Sequence, residues 1–521
     1  MPNAHTVDQV RAAEAPLLAG PPPGILMQRA VSGLVAYVAR RLGRVHGARI
    51  VVLAGGGDNG GDALWAGARL AARGARVDAL APGRTHPEGS AALLAAGGRL
   101  HGPDPAPADE VARALVGEAD LVLDGLLGIG GRGGLRPAHA RLAAFAPPRR
   151  TVAVDVPSGV DADTGEVAGE AVRASATVTF GTHKRGLWLM PGAAHTGPVE
   201  LVDIGLVLPE PDLRALDDAD VAALLPVPGA ASSKYRRGVL GLVAGSDAYP
   251  GAAVLAVGGA LRGGAGYLRV ITEGRLGAAP GDPHSRAADL VLRAHPEAVV
   301  TPIAPGDGTA MLAAGRVQAW AIGPGLAPGP PVRDLLATLL GADEPVVVDA
   351  GALDPLGELL GADPAVLRGR SAPVLVTPHE GEFARLTRLA LGWDPRTTDT
   401  ELARDRLGTV RRAAAATGAT VLLKGARTLV VDPAGAAWAN LTGSAWLGSA
   451  GTGDVLTGLI GSLLAAGVPA TLAGAVGAHL HGRAAERAAL PLAASDLPDL
   501  LPRVVTELLD GETAPKPGHC R

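Results

Sequence analysis

One cysteine stands in 521 residues, Cys520. A disulfide within the chain needs two and a thiolate zinc site needs more, so both are excluded, and a reducing compartment, the cytoplasm, is expected. Aromatic residues are almost as scarce, 2% of a chain that is 47% hydrophobic. The apolar mass is therefore Ala, Val and Leu, which suits layered α/β packing with narrow helix faces. A basic excess is missing too: the formal net charge is −4, which leaves no electrostatic footprint for nucleic acid. The opening residues MPNAHTVDQVRAAEAP carry Asp8, Arg11 and Glu14 and do not read as a signal peptide. One long run, Val455 to Leu480, has no charge and exceeds what a transmembrane helix requires. However, Gly467-Val468-Pro469 divides it. Two buried helices joined by a turn are expected, not a membrane span.

What is present is length and punctuation. A chain of 521 residues is too long for one ordinary domain. Gly 74 and Pro 43 together stay below the low-complexity regime. In the first half, RIVVLAGGG, ARVDAL, ADLVLDGLLG, RTVAVDVPSG and ATVTFGT read as strands, and DALWAGARLAARG as a helix ended by Gly74. Short apolar runs ending in Gly or Asp predict a parallel sheet covered on both faces, with ligands at the strand ends. Prolines, acids and a basic cluster from VLPEP to SSKYRRG mark a domain boundary near 209–220. A second strand–glycine loop–helix–strand unit then begins at GVLGLVAGSDAYPG, followed by strands at AWAIGPGL, PVVVDAG, APVLVTPHEGE and TVLLKG. No repeat of fixed period relates the halves.

Three loops in the first half carry chemistry. In GGGDNGGDA, Gly55, Gly57 and Gly60 match a G-x-G-x-x-G spacing. Yet Asp58, Asn59 and Asp62 lie inside what reads as the loop, and acids repel a pyrophosphate. They suit a cation or sugar hydroxyls better, with a plain acidic N-cap as the alternative. LDGLLGIGGRGGL places Asp124 before a glycine run, and VDVPSGVDADTG places Asp155 and Ser158 after a strand. Asn59, Asp124 and a Ser158 hydroxyl or nearby carbonyl could form an oxygen cage for a monovalent ion; each alone is equally a cap or turn residue. A dehydrogenase is disfavoured, because only Asp78 stands where a ribose-binding acid belongs.

In the second half, GSAGTGDVLTG sets glycines at a helix start beside one acid, Asp454. The free N–H groups suit a phosphoryl group, and the acid suits a general base that takes a hydroxyl proton. An Asp that merely complements the helix dipole is the other reading.

The three N-terminal loops, with MQRAVSG and THKRGLWLMPG as looser matches, resemble the NAD(P)HX epimerases over residues 5–208. The resemblance implies K+ bound by Asn59, Asp124 and Ser158. It implies substrate contacts from Asp58, Asn59, Gly60, Gly61 and Asp62, from Gly128, Ile129, Gly130, Gly131, Arg132, Gly133 and Gly134, and from Asp155, the expected acid/base group. Lys184 receives no firm role. GTGD resembles the ribokinase-like superfamily, and SSKYRRGVLGLVAGSDAYPG, IGPGL, LVTPHEGEFARL and LLKGARTLV resemble its NAD(P)HX dehydratases over residues 220–510. That implies substrate contacts from Ala253, Gly325, His379 and Asp454, and nucleotide contacts from Lys424, Gly425, Ala426, Arg427, Thr428 and Gly453. His479 and His481 are left as structural.

Together the resemblances imply a Rossmann-like three-layer α/β epimerase domain over 1–210 and a ribokinase-like α/β dehydratase domain over 220–521. The implied enzyme epimerises R and S NAD(P)HX and dehydrates the S epimer with ADP and Mg²⁺, releasing AMP and phosphate. An Ala/Gly/Arg-rich composition points to a GC-rich bacterium and hence to ADP. A homo-oligomer with no membrane or nucleic-acid partner is expected. The competing reading is a small-molecule kinase fused to a nucleotide-binding module, and a non-catalytic module stays open for the first half.

Overall fold

A computed structural model describes residues 1–20, 24–102, 106–274 and 285–511; Cys520 lies outside them. Two compact units form. One comprises Asn3–Leu213 with Ala403–Arg406, the other Met1–Pro2, Arg214–Leu402 and Leu407–Arg521.

The first unit is built on strands β1 (Arg49–Ala54), β2 (Arg76–Leu80), β3 (Arg99–His101), β4 (Leu121–Gly125), β5 (Thr151–Val154), β6 (Ala176–Phe180) and β7 (Val199–Val202). They lie in the order β3-β2-β1-β4-β5-β6-β7, every pair parallel. Alternation along β1 explains the layers. Ile50, Val52 and Ala54 enter one core with helices α1 (Ile25–Leu42) and α2 (Asp58–Ala71). Val51 and Leu53 enter a second core on the opposite face with Ala112, Val116 and Leu142. A sheet buried on both faces has no room for alternating polar residues, so the polar groups collect at the strand ends. The order reverses between β1 and β4, the position where open α/β sheets bind ligands.

The second unit repeats the principle. Strands β8 (Val239–Val243), β9 (Tyr267–Glu273), β10 (Val299–Ile303), β11 (Ala319–Ile322), β12 (Val346–Val348), β13 (Val374–Val376) and β14 (Thr420–Leu423) are parallel in the order β10-β9-β8-β11-β12-β13-β14. β15 (Leu429–Val431) and β16 (Ala437–Ala439) continue antiparallel. One core joins this sheet to α3 (Pro250–Arg262) and to two later helices, α5 (Thr452–Ala465) and α6 (Ala470–Arg487), and it closes on Asp496–Leu509. Between β13 and β14 runs α4 (Glu380–Leu391). The uncharged run is thus two buried helices, split at Gly467-Val468-Pro469. No helix among the described residues is long and apolar enough to cross a membrane.

Candidate functional site

In the first unit the expected residues converge at the carboxyl ends of β1, β4 and β5. One expectation needs correction. Asp58, Asn59 and Asp62 are not in a loop: α2 already begins at Asp58, with Gly57 as an N-cap that offers no side-chain bond. The turn is confined to the three preceding glycines, because packing is tight there. A Cβ on Gly55 would lie 2.0 Å from the Leu126 carbonyl oxygen, and one on Gly60 would lie 2.1 Å from that of Gly55.

Asp124 is fully buried. Its carboxylate accepts from Ser158 Oγ at 2.6 Å, Ser158 N at 2.8 Å and Leu126 N at 3.3 Å. Burial pushes its pKa up to about 6, against the pull of those hydrogen bonds. Asn59 packs against the loop that follows Asp124, since a Cβ on Gly128 would lie 3.0 Å from Asn59 Oδ1. Both polar atoms of the Asn59 amide are buried without a partner among the described residues. Such orphans are rare in native interiors and ask for an unseen partner. A buried carboxylate, a hydroxyl and a free amide oxygen are the hard donors a monovalent cation takes. Among the described residues no group of three or more His, Cys, Asp or Glu is arranged to hold a metal ion.

Asp155 follows β5 with φ at 67°, a left-handed conformation that costs a non-glycine residue roughly 1–2 kcal/mol. It is buried and paired with the buried Lys184. Around them gather Asp62, Asp58 and Glu14. The Asp62 carboxyl is held well above its ordinary pKa, first by burial and then by the charges of Asp155, Asp58 and Glu14; its Oδ1 has no partner among the described residues. Glu14 is raised by burial too, with Lys184 pulling the other way. Glu14, on the helix Val7–Leu18, carried no motif and went unread. Gly131, Arg132, Gly133 and Gly134 line a groove with Gly159, Val160 and Asp161. Gly128 accepts the turn bond from Gly131 N at 3.1 Å, and Ile129 and Gly130 form the span between.

In the second unit, Ala253 and Gly325 both pack close to Gly245, which follows β8. A Cβ on Gly245 would lie 2.8 Å from that of Ala253, and one on Gly325 would lie 2.7 Å from that of Ala252. Asp454 sits in the first turn of α5, whose N-cap Gly451 has φ 91°. The first N–H groups of the helix, at Thr452 and Gly453, have no intrahelical acceptor. Beneath them His481 Nε2 bonds the Thr452 carbonyl at 2.9 Å. His479 bonds Asp218 at 2.8 Å. Both histidines are held internally.

Lys424 bridges carboxylates. Its Nζ lies 2.9 Å from Asp349 Oδ1 and 3.6 Å from Glu382 Oε2. Burial lowers its pKa, but Asp349, Glu382 and Asp454 outweigh that and leave it raised. Asp349 Oδ2 accepts from Thr457 Oγ1 at 2.7 Å, so one buried carboxylate ties the end of β12 both to β14 and to α5. Asp454 is pushed up to about 7 by burial, then by Asp349 and Glu382, against the pull of Lys424. A Cβ on Gly453 would lie 3.3 Å from Lys424 Nζ, so a larger residue there would crowd the ammonium. His379 caps α4: its Nδ1 accepts from Gly381 N at 3.1 Å, and Glu382 returns the bond to His379 N at 2.8 Å. Arg427 donates to the Leu441 carbonyl at 2.7 Å, and Thr428 to that of Gly425 at 3.4 Å; Gly425 and Ala426 are exposed. Asp349, Glu382 and Thr457 were missed as site residues. The signal for Asp349 was present in PVVVDAG, an apolar run ending in an acid like those before Asp124 and Asp155.

These two centres, each at the carboxyl edge of the parallel strands of its own sheet, define a two-site α/β enzyme. Two family models match: one described as YjeF-related protein N-terminus over residues 23–186, and one described as NAD(P)H-hydrate dehydratase over residues 240–507. The chain is 43% identical over 448 residues to the bifunctional NAD(P)H-hydrate repair enzyme Nnr of Mycobacterium tuberculosis, covering 84% of each chain. It is 35% identical over 518 residues to that of Moorella thermoacetica, covering 94% of this chain and 93% of the other. Among solved structures it is similar to the ADP/ATP-dependent NAD(P)H-hydrate dehydratase of Bacillus subtilis co-crystallised with ATP/Mg²⁺. There the identity is 33% over 57% of this chain and 98% of that one, with a TM-score of 0.48. The chain belongs to the family of bifunctional NAD(P)H-hydrate repair enzymes and carries both its epimerase and its dehydratase module.

Proposed function

We propose that this chain repairs hydrated NADH and NADPH in two steps, one in each unit. The first unit interconverts the R and S epimers at C6, with Asp155 as the acid/base group. The second transfers a phosphoryl group from ADP to the C6 hydroxyl of the S epimer. Loss of that phosphate restores the reduced ring and leaves AMP and phosphate. The observation that carries the reading is Asp454: its pKa of about 7 matches a general base at neutral pH, beside N–H groups that suit a phosphoryl anion. Asp454 takes the hydroxyl proton, and Gly453 leaves room for the phosphate to approach. Lys424 sets the charge around the base, and the 425–428 segment is assigned to the nucleotide. Mg²⁺, when bound, neutralises phosphate charge. The carboxylates of Asp349 and Glu382 already face Lys424, so the metal is expected to arrive with the nucleotide.

Asn59, Asp124 and Ser158 are assigned to K⁺, which when bound supplies a fixed positive charge beneath the epimerase loops. The orphaned Asn59 amide supports this. Asn59→Ala is expected to abolish the dependence of epimerisation on KCl and also the rise in melting temperature that KCl gives the wild type. A KCl response unchanged in both would remove K⁺ from this place.

The test of the whole reading is recovery of reduced-nicotinamide absorbance from mixed epimers with ADP and Mg²⁺. Full recovery is expected. Recovery that stops at the S fraction, after correction for spontaneous epimerisation, would reject the epimerase. A stable phosphorylated product would reject the dehydratase in favour of a kinase.

A further inference from the structure

Lys184 lies on the short strand His183–Lys184, paired in parallel with Asn3–His5. Its side chain is 1% exposed. The ammonium donates to Asp155 Oδ1, to Thr179 Oγ1 at 3.1 Å and to the Phe180 carbonyl at 2.9 Å, which uses all three of its protons. Asp155 Oδ1 also accepts from Thr179 Oγ1 at 3.0 Å and from Phe180 N at 3.3 Å. Every hydrogen bond this carboxylate accepts among the described residues lands on Oδ1. A buried ion pair adds little stability over apolar residues of the same volume, and the left-handed backbone at Asp155 adds none. Two unfavourable features meeting on one carboxylate need a reason other than stability.

We infer that Lys184 is a positioning residue of the epimerase reaction: it fixes Asp155 through Oδ1, so that Oδ2 is the oxygen that exchanges a proton with the substrate hydroxyl. This rests on the epimerase reading of the site.

The experiment compares wild type, Asp155→Asn, Lys184→Met and Thr179→Val in the full chain, by epimerisation of R-hydrate across pH 6–9. Dehydration of S-hydrate reports the other unit as a control. Lys184→Met is expected to lower epimerisation kcat about 10²-fold at pH 7, in the range of a general-base effect. KM should change by less than about threefold. A kcat at the wild-type level, or a loss confined to KM, overturns the inference. Should Lys184→Met fail to fold, Thr179→Val decides: it keeps shape but removes the hydroxyl that touches both partners, and a wild-type kcat there overturns the inference. An inactive wild type would reject the epimerase reading itself. A fully active Asp155→Asn would reject Asp155, and with it the role of Lys184.

Discussion

Asp454 shows how one residue can be read from sequence in identity and only partly in character. Its place beside glycines at a helix start is visible in GTGDVLTG. Its pKa is not, because what raises it is burial in the assembled unit and then the charges of Asp349, at the end of β12, and Glu382, in the first turn of α4, both more than 70 residues away in the chain. As a base, Asp454 must be ionised, so dehydration of S-hydrate should rise with pH and level off above about 7. Asp454→Asn should cut that rate by roughly 10²–10⁴ while leaving epimerisation intact, and persistence of dehydration would remove Asp454 as base. The stability effect has the opposite sign. The folded unit holds a proton on Asp454 up to about pH 7, whereas the ordinary carboxyl value is 3.8. Folded chain therefore binds more protons between those values, and stability falls as pH rises through that window. Asp454→Asn removes this loss, so the inactive variant should melt above wild type at pH 8 and level with it near pH 4. A lower melting point at pH 8 would contradict the buried-carboxylate account. Lys424 illustrates the limits further: TVLLKG placed it at a strand end, but its carboxylate partners became visible only once the sheet was assembled.

Among the elements, the central parallel strands were legible, because strands buried on both faces are written as short apolar runs. Less so were β3, β7, β10, β15 and β16, which formed no part of the expected set; β3 and β7 are short edge strands, and β10 reads VVTPI, with a proline that marks an edge strand. The start of α2 was misread because acids and glycines usually belong to turns, yet here the glycines serve close packing inside a helix. The same logic governs α3 and α5. A Cβ on Gly458 would lie 1.9 Å from the Ala256 carbonyl oxygen, and one on Gly259 would lie 2.1 Å from that of Val455. The two helices therefore touch backbone to backbone just below Asp454. Gly458→Ala must push them apart, which should destabilise the second unit by ~1–3 kcal/mol and tilt the turn that carries the base. Thermal melting and the S-hydrate rate should fall together, with epimerisation unchanged. A variant that melts lower but dehydrates at the wild-type rate would show that the crossing serves stability alone.

For the whole molecule, the decisive feature is that each unit has its own sheet and its own core. The main crossing of the chain between the units falls at Leu213–Arg214. What no motif conveys is whether joining the units changes the chemistry or only fixes equal amounts of both activities. Separate cores argue that a substitution in one unit leaves the other site intact, so the question can be put to a mixture. Asp155→Asn chains dehydrate S-hydrate but cannot make it from R-hydrate, and Asp454→Asn chains make it but cannot dehydrate it. Released S-hydrate is free to diffuse from one chain to another. An equal mixture should then recover the full absorbance from R-hydrate, at a rate that rises with the concentration of each variant, where either variant alone falls short. If the mixture recovers no more than the Asp155→Asn chains do alone, the S epimer does not leave the chain that made it, and the fusion of the two units is itself part of the reaction path.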